Sequence, residues 1–181
     1  ASSAFVPWLV PVAWILYLAT ALWVFIGVLI TIYPKGSQVW KDHKIIPGAL
    51  GLVMFFCCWV GLIAIRAGNN GIIELFLLLL IVSSTDTGAY FIGKRFGKNK
   101  LAQSLSPQKT KEGLYGGFLV ALGLAIIYGY FFEPDIYLSP LYGLLIIVTS
   151  FISVIGDLLE SMAKRIQGVK DSGQILPGHG G

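Results

Sequence analysis

The chain has 181 residues, of which 56% are hydrophobic and only 12% are charged, with a formal net charge of +4. Soluble domains carry about 25% charged residues, so this composition excludes an ordinary soluble domain. It indicates an all-α, polytopic integral membrane protein, because a helix pairs its own backbone groups inside a bilayer. We expect no nucleic-acid partner. Cys57 and Cys58 are adjacent within an apolar stretch and are interpreted as packing residues.

Five apolar stretches are long enough to cross a bilayer, which takes about 20 residues in a helix. They cover residues 5–33, 45–65, 72–92, 114–132 and 141–162. The N-terminus has neither an initiator Met nor a basic region, so it is not typical of a signal peptide. We therefore expect the chain to be a piece of a longer membrane protein that lacks both ends.

The charges between these stretches predict the orientation. Residues 34–44, 93–113 and 163–181 are rich in Lys and Arg, whereas the connection after the second span has only Arg66 and the one after the fourth has only acids. Five sequential crossings require such alternation, and basic segments stay in the cytoplasm. The loop 93–113 and the tail 163–181 are therefore predicted to be cytosolic, and to share that side with the polar ends of spans three and five.

The exit of the fifth span carries a polar stripe. Asp157, Glu160, Ser161 and Lys164 are spaced i, i+3, i+4 and i+7, which places them on one helix face. Because a carboxylate inside a membrane is costly, Asp157 needs an explanation. One interpretation is an ion pair that only neutralises the helix end, and the other is a ligand for Mg²⁺, which carboxylates and phosphates hold together.

Two further polar segments lie upstream. Asp86 falls within five consecutive polar residues, 83–87, near the end of the third span. We interpret the neighbouring hydroxyls as contacts between helices and Asp86 itself as a functional candidate. The loop 93–113 is cationic and contains Ser106, Lys109 and Thr110. It suits either a polyphosphate or anionic lipid head groups, and it lacks the GxxxxGK[ST] and GxGxxG patterns.

The tail combines charge with glycines that allow close backbone approach. It contains Lys170, Asp171, His179 and Gly180. A lone His is most often structural, so the residues alone leave the role of His179 open.

Three segments together carry a resemblance to a known family. The run SMAKRIQGVKDSGQILPGHGG (161–181) resembles the signature of the phosphatidate cytidylyltransferase, or CDP-diacylglycerol synthase, family. The runs DTGAYFIGKRFGK (86–98) and SPQKTKEGLYGG (106–117) are similar to its upstream blocks. Elsewhere only the hydrophobic pattern matches. The family signature continues beyond His-Gly-Gly with further Asp residues, so the resemblance implies that an additional metal ligand lies outside this chain.

The resemblance implies a reaction and its components. CMP would pass from CTP to phosphatidate with Mg²⁺, giving CDP-diacylglycerol and pyrophosphate, and a second cation stays open. It also implies a homodimer in a bacterial inner membrane, with the active site facing the cytoplasm. Residues 1–82 would then be scaffold helices and residues 83–181 the catalytic region.

The resemblance also implies roles for individual residues. Asp157 and Asp86 are the expected metal ligands, and the expected catalytic residues are Asp157, Lys109, Asp171 and His179. Phosphates and head groups are expected at Ser106, Thr110, Ser161, Lys164, Arg165, Lys170 and Gly180.

Two alternatives stay open. Another CTP-dependent membrane lipid enzyme, such as a polyprenol kinase, would use the same nucleotide but would lack the full 161–181 signature. A membrane transporter would distribute polar residues across both leaflets, whereas here they gather on one side.

Overall fold

The computed structural model describes residues 9–34, 45–132 and 138–169. These residues form helices α1 (Leu9–Thr31), α2 (Ile45–Arg66), α3 (Gly71–Phe96), α4 (Lys111–Phe132) and α5 (Pro140–Ile166). A two-stranded hairpin, β1 (Lys100–Ala102) and β2 (Ser106–Thr110), lies between α3 and α4. Each of the five helices is long and apolar enough to cross a membrane. The predicted all-α, polytopic membrane fold is therefore confirmed.

The chain divides into two compact units, Ala1–Leu75 and Phe76–Gly181. In the first unit α1 packs against α2. Both helices expose large apolar side chains, among them Trp14, Tyr17 and Phe55. Exposed apolar surface on this scale is expected of helices whose solvent is lipid. The scaffold role expected of residues 1–82 stays a prediction.

The second unit has a core formed by α3, α4 and α5. Its buried residues are Ile81, Ala121, Ala125, Tyr142 and Ile146. The Tyr142 hydroxyl donates to the Ala125 carbonyl at 3.2 Å, which joins α5 to α4. This core brings the polar ends of three helices into one unit.

A buried hydrogen bond also joins α3 to α5. The Thr85 hydroxyl lies 2.8 Å from the Ser150 hydroxyl and 2.8 Å from the Ile81 carbonyl of its own helix. Both Thr85 and Ser150 are fully buried. The prediction that hydroxyls in the 83–87 run connect helices is confirmed at Thr85.

Small residues let the backbones of α3 and α4 approach closely. A Cβ added to Gly117 would lie 2.6 Å from the Thr85 carbonyl oxygen, and one added to Gly113 would lie 2.8 Å from the Ala89 oxygen. Glycines four residues apart are a common solution for close helix packing in membranes. The approach brings the C-terminal half of α3, including Asp86, next to the first turns of α4.

The hairpin is the main difference from the sequence expectation of a loop at 93–113. Its strands pair antiparallel, with Lys100 opposite Thr110 and Ala102 opposite Ser106. Leu105, between the strands, is almost completely buried and anchors the turn. At the end of β2, Thr110 Oγ1 accepts a hydrogen bond from Gly113 N at 3.1 Å, which is the usual way a Thr begins a helix.

Helix α5 has clear start and stop signals. Ser139 caps its first turn, with Oγ accepting from Leu141 N at 3.3 Å, and Pro140 occupies the first helical position, where its missing N–H costs nothing. Beyond the last turn Gly168 adopts a positive φ of 72°, a conformation that favours glycine. Between these ends α5 carries Asp157 into the second unit.

Candidate functional site

A cavity of about 660 Å³ lies in the second unit. Residues from α3, the hairpin, α4 and α5 line it. Its polar lining residues are Asp86, Tyr90, Lys94, Ser106, Gln108, Lys109, Thr110 and Asp157. Its apolar lining includes Ala89, Leu101, Leu114 and Val154. The site therefore combines charged groups with an apolar wall, which suits a charged head group attached to a lipid.

An ion pair forms part of the lining of this cavity. Lys109 Nζ, from strand β2, lies 2.7 Å from Asp157 Oδ2, from helix α5. The Lys109 side chain is 28% exposed and that of Asp157 is 46% exposed, so both charges are accessible from the cavity. The ammonium can bind an incoming phosphate, and the carboxylate can bind the cation that accompanies it.

A second carboxylate lies in the same cavity. Asp86 comes from α3 and is exposed. In the ranges that the structure describes, Asp86 and Asp157 are the carboxylates that line the cavity, and no group of three or more His, Cys, Asp or Glu occurs there. Mg²⁺ usually takes one or two protein carboxylates and completes its shell with water and substrate phosphates. The donor set therefore fits a Mg²⁺ ion that arrives with a nucleotide.

Two predicted phosphate-binding hydroxyls are also present. Ser106 and Thr110 both line the cavity from β2. Thr110 is buried, and its Oγ1 already accepts the Gly113 N–H. The hydroxyl hydrogen of Thr110 can still be donated to an acceptor such as a phosphate oxygen. The Ser106 side chain is partly exposed.

The remaining polar residues of α5 lie elsewhere. Ser161, Lys164 and Arg165 are not among the cavity-lining residues in the described part of the chain. Lys164 Nζ pairs with Glu160 Oε1 at 3.0 Å on the same helix, which agrees with the ion-pair interpretation of that part of the stripe. Arg165 Nε donates to the Leu105 carbonyl at 3.4 Å, so this guanidinium contacts the turn of the hairpin.

Four predicted residues cannot be placed. Lys170, Asp171, His179 and Gly180 lie outside the described residues. Their expected roles stay predictions.

The cavity also contains residues that the sequence reasoning did not select. Tyr90 and Lys94 follow Asp86 at i+4 and i+8, and Lys94 Nζ lies 5.6 Å from the centre of the Tyr90 ring. Helical spacing places Tyr90 and Lys94 on the same helix face as Asp86, so the sequence contains a signal that could have identified them. Gln108 also lines the cavity, and its position depends on the hairpin, which the sequence pattern did not predict.

Comparison with known proteins identifies the family of the chain. The model of the cytidylyltransferase family matches residues 2–181. The phosphatidate cytidylyltransferase of Haemophilus influenzae is 36% identical over 172 residues, covering 90% of this chain and 60% of that protein.

Other relatives carry the same name. That of Pseudomonas aeruginosa is 39% identical over 171 residues, covering 92% of this chain and 61% of the relative. The relative from Bacillus subtilis is 44% identical over 136 residues, which cover 73% of this chain and 49% of the relative. The chain thus spans about three fifths or less of the length of these curated relatives. Because the family model covers nearly all of its residues, the chain belongs to the cytidylyltransferase family.

Proposed function

We propose that the protein transfers CMP from CTP to phosphatidate, forming CDP-diacylglycerol and releasing pyrophosphate. Family membership and the names of the relatives support a nucleotidyltransferase of this kind. The observation that carries the proposal is the cavity in which Lys109 and Asp157 make an ion pair beside Asp86. This arrangement offers opposite charges to a polyphosphate and its cation in one place.

The proposed step is a displacement at phosphorus. A phosphate oxygen of phosphatidate attacks the α-phosphorus of CTP and forms the new P–O bond. The bond from the α-phosphorus to the oxygen that bridges it to the β-phosphorus breaks, and the electron pair leaves with pyrophosphate. Phosphoryl-type transfer depends mainly on positioning and on charge stabilisation. Since the attacking phosphate is already anionic, the protein needs no strong base for it.

The residues of the cavity are suited to that task. Lys109 supplies a positive charge that can follow the negative charge of the phosphates, and Ser106 and Thr110 can donate hydroxyl hydrogen bonds to phosphate oxygens. The apolar side chains of Leu101, Leu114 and Val154 suit the part of a lipid next to its head group. Asp86 and Asp157 would hold Mg²⁺, which would neutralise charge on the nucleotide phosphates.

The setting of the reaction is part of the proposal. CTP is a water-soluble nucleotide and phosphatidate is a bilayer lipid, so the site must face both at a membrane surface. The basic composition of the 93–113 segment supports a cytoplasmic orientation by the positive-inside rule. We include a bacterial inner membrane and a homodimer in the proposal. The roles expected of Lys170, Asp171, His179 and Gly180 at the same site are proposed with it.

Labelled nucleotide tests this function directly. The full-length protein in vesicles that contain both phosphatidate and a polyprenol is supplied with Mg²⁺ and CTP labelled either at the α- or at the γ-phosphorus. The proposal predicts that the α-label enters the lipid fraction while the γ-label is released as pyrophosphate. A γ-label that enters a polyprenol instead would identify a CTP-dependent kinase. Label that stays out of every lipid would contradict both enzymes and favour a transporter.

A further inference from the structure

A carboxylate outside the cavity accepts hydrogen bonds at the base of the hairpin. Glu112 lies in the first turn of α4, and it does not line the cavity in the described part of the chain. Its carboxylate accepts hydrogen bonds from the backbone N–H groups of Lys98 and Asn99, each at 3.1 Å, and from Asn99 Nδ2 at 2.6 Å. These bonds connect residues that are 13 or 14 positions apart in the sequence.

The same junction contains a reciprocal backbone bond. Lys111 N donates to the Asn99 carbonyl at 2.9 Å. Asn99 and Lys111 immediately flank the hairpin, whose first paired residues are Lys100 and Thr110. The carboxylate of Glu112 therefore closes the base of the hairpin, where the chain leaves α3 and enters α4.

The hairpin needs such support because it is short. Strand β1 has three residues and β2 has five, and the pairing is irregular between Lys100 and Ala102. An isolated two-stranded hairpin is marginally stable at best in water. Bonds to a carboxylate are stronger than those between neutral groups. The attachments at the base and the Arg165–Leu105 contact at the turn thus hold the segment at both ends.

The position of the hairpin in turn determines the geometry of the ion pair. Lys109 lies in β2, one residue before Thr110 and three before Glu112. Its ammonium contacts the Asp157 carboxylate directly, at 2.7 Å. A misplacement of about 1 Å in a reacting group can cost on the order of a hundredfold in rate. A tilt of the hairpin at its base would be transmitted to the Lys109 ammonium.

We propose that Glu112 is a positioning residue, which fixes the base of the hairpin so that Lys109 is directed at the reacting phosphates beside Asp157. The inference rests on the proposed CMP transfer for its catalytic consequence. Its structural part, the attachment of the hairpin, can be measured without any reaction.

Spin labels measure the structural part. Cys57, Cys58 and every other cysteine of the full-length protein are replaced by Ser. In this background labels are placed at the exposed residues Gln103 and Gln167. These report the distance between the hairpin turn and the end of α5 in the full-length protein. Glu112→Gln should broaden or shift the distance distribution, and Glu112→Asp should partly restore it. Glu74→Gln, which changes the first-turn acid of α3, should leave it unchanged.

Activity measures the catalytic part. Glu112→Gln alone should lower kcat/KM for CTP by about tenfold or more. In a Lys109→Met background it should add little, because a residue that acts through Lys109 has nothing left to position. If Glu112→Gln only reduced the amount of folded protein, its rate loss would multiply with the rate loss caused by Lys109→Met. The double variant therefore separates positioning from general destabilisation.

The outcomes are distinct. An unchanged distance distribution in Glu112→Gln, or a rate loss that multiplies fully with that of Lys109→Met, overturns the proposal. Should Glu112→Gln fail to fold, Asn99→Ala removes only the 2.6 Å bond and must shift the same distribution in the same direction for the proposal to stand. If the wild-type protein makes no CDP-lipid, the proposed function fails, while the distance measurement still decides whether Glu112 holds the hairpin.

Discussion

Lys109 and Asp157 lie 48 positions apart in the sequence and 2.7 Å apart in the structure. One comes from a short strand and the other from the C-terminal half of a membrane helix. Their contact joins the hairpin to α5 inside the cavity. The chemistry proposed for the protein depends on this relationship, because it brings the positive group and the carboxylate proposed to bind Mg²⁺ to the same point.

Replacing the Lys109 ammonium tests the cationic half of the pair. Lys109→Met should lower kcat/KM for CTP by about a hundredfold, the usual cost of one charge-stabilising donor in a transfer reaction. Lys111→Met is the matched control, since Lys111 is an exposed lysine two residues away at the start of α4. Equal losses in the two variants would show that only the general positive charge of this segment matters. The measurement is the initial rate at several CTP concentrations.

Asp86 is expected to contribute to cation binding. Asp86→Asn should raise the Mg²⁺ concentration needed for half-maximal activity by about tenfold, equivalent to about 1.4 kcal/mol, because one carboxylate donor loses its charge. Thr87→Val is the control, since the Thr87 hydroxyl bonds only to the Ser83 carbonyl of its own helix, at 2.7 Å, among the bonds described. A Mg²⁺ titration of the rate measures both. An unchanged titration for Asp86→Asn would remove Asp86 from the metal site.

Much of the fold follows from patterns that a sequence displays directly. The five apolar stretches correspond to the five helices because bilayer thickness fixes how many apolar residues a crossing needs. The hairpin could not be predicted in the same way. It has three and five residues in its strands, too few for a clear alternation of polar and apolar side chains, and tertiary contacts such as those of Glu112 and Leu105 support it.

Part of the cavity lining was predictable from the sequence, but its grouping was not. An acid inside an apolar helix is conspicuous, which is why Asp86 and Asp157 were selected. The partner of Asp157 was not predictable. Helical spacing places Lys164 one turn from Glu160, and these two residues do pair, whereas Asp157 pairs with Lys109 of the hairpin. Spacing on a single helix identifies neighbours on that helix, but it contains no information on which other segment packs against it.

The close approach of α3 and α4 should be sensitive to a single methyl group. Gly117→Ala would place a Cβ 2.6 Å from the Thr85 carbonyl oxygen, and such overpacking costs about 1–3 kcal/mol. Gly123→Ala is the control on the same helix, because nothing lies within 4 Å of a Cβ built there. Thermal unfolding in detergent should show a lower Tm for Gly117→Ala alone. Equal Tm values would contradict the packing described between these helices.

The hydrogen bond between Thr85 and Ser150 should stabilise the second unit. Thr85→Val removes the hydroxyl that bonds to Ser150 while keeping the shape of the side chain. Hydrogen bonds between membrane helices average about 0.6 kcal/mol with a maximum near 1.7. Thr149→Val, whose hydroxyl bonds to the Leu145 carbonyl of its own helix at 2.8 Å, provides the comparison. Unfolding by denaturant measures the difference in free energy. If Thr149→Val lowered the free energy of unfolding as much as Thr85→Val, the interhelical bond would not contribute specifically to stability.

The measurement that tests the central claim most directly is the initial rate of CDP-diacylglycerol formation by the full-length Asp157→Asn variant. Asn keeps the size of Asp157 but removes the charge that a cation and Lys109 both need. The account predicts a loss of about a thousandfold, with an unfolding temperature close to that of the wild type. Glu160→Gln, which removes a carboxylate one turn further along α5 with a side chain 62% exposed, should retain most of the rate. Full activity in Asp157→Asn, or an equal loss in both variants, would contradict the proposed site.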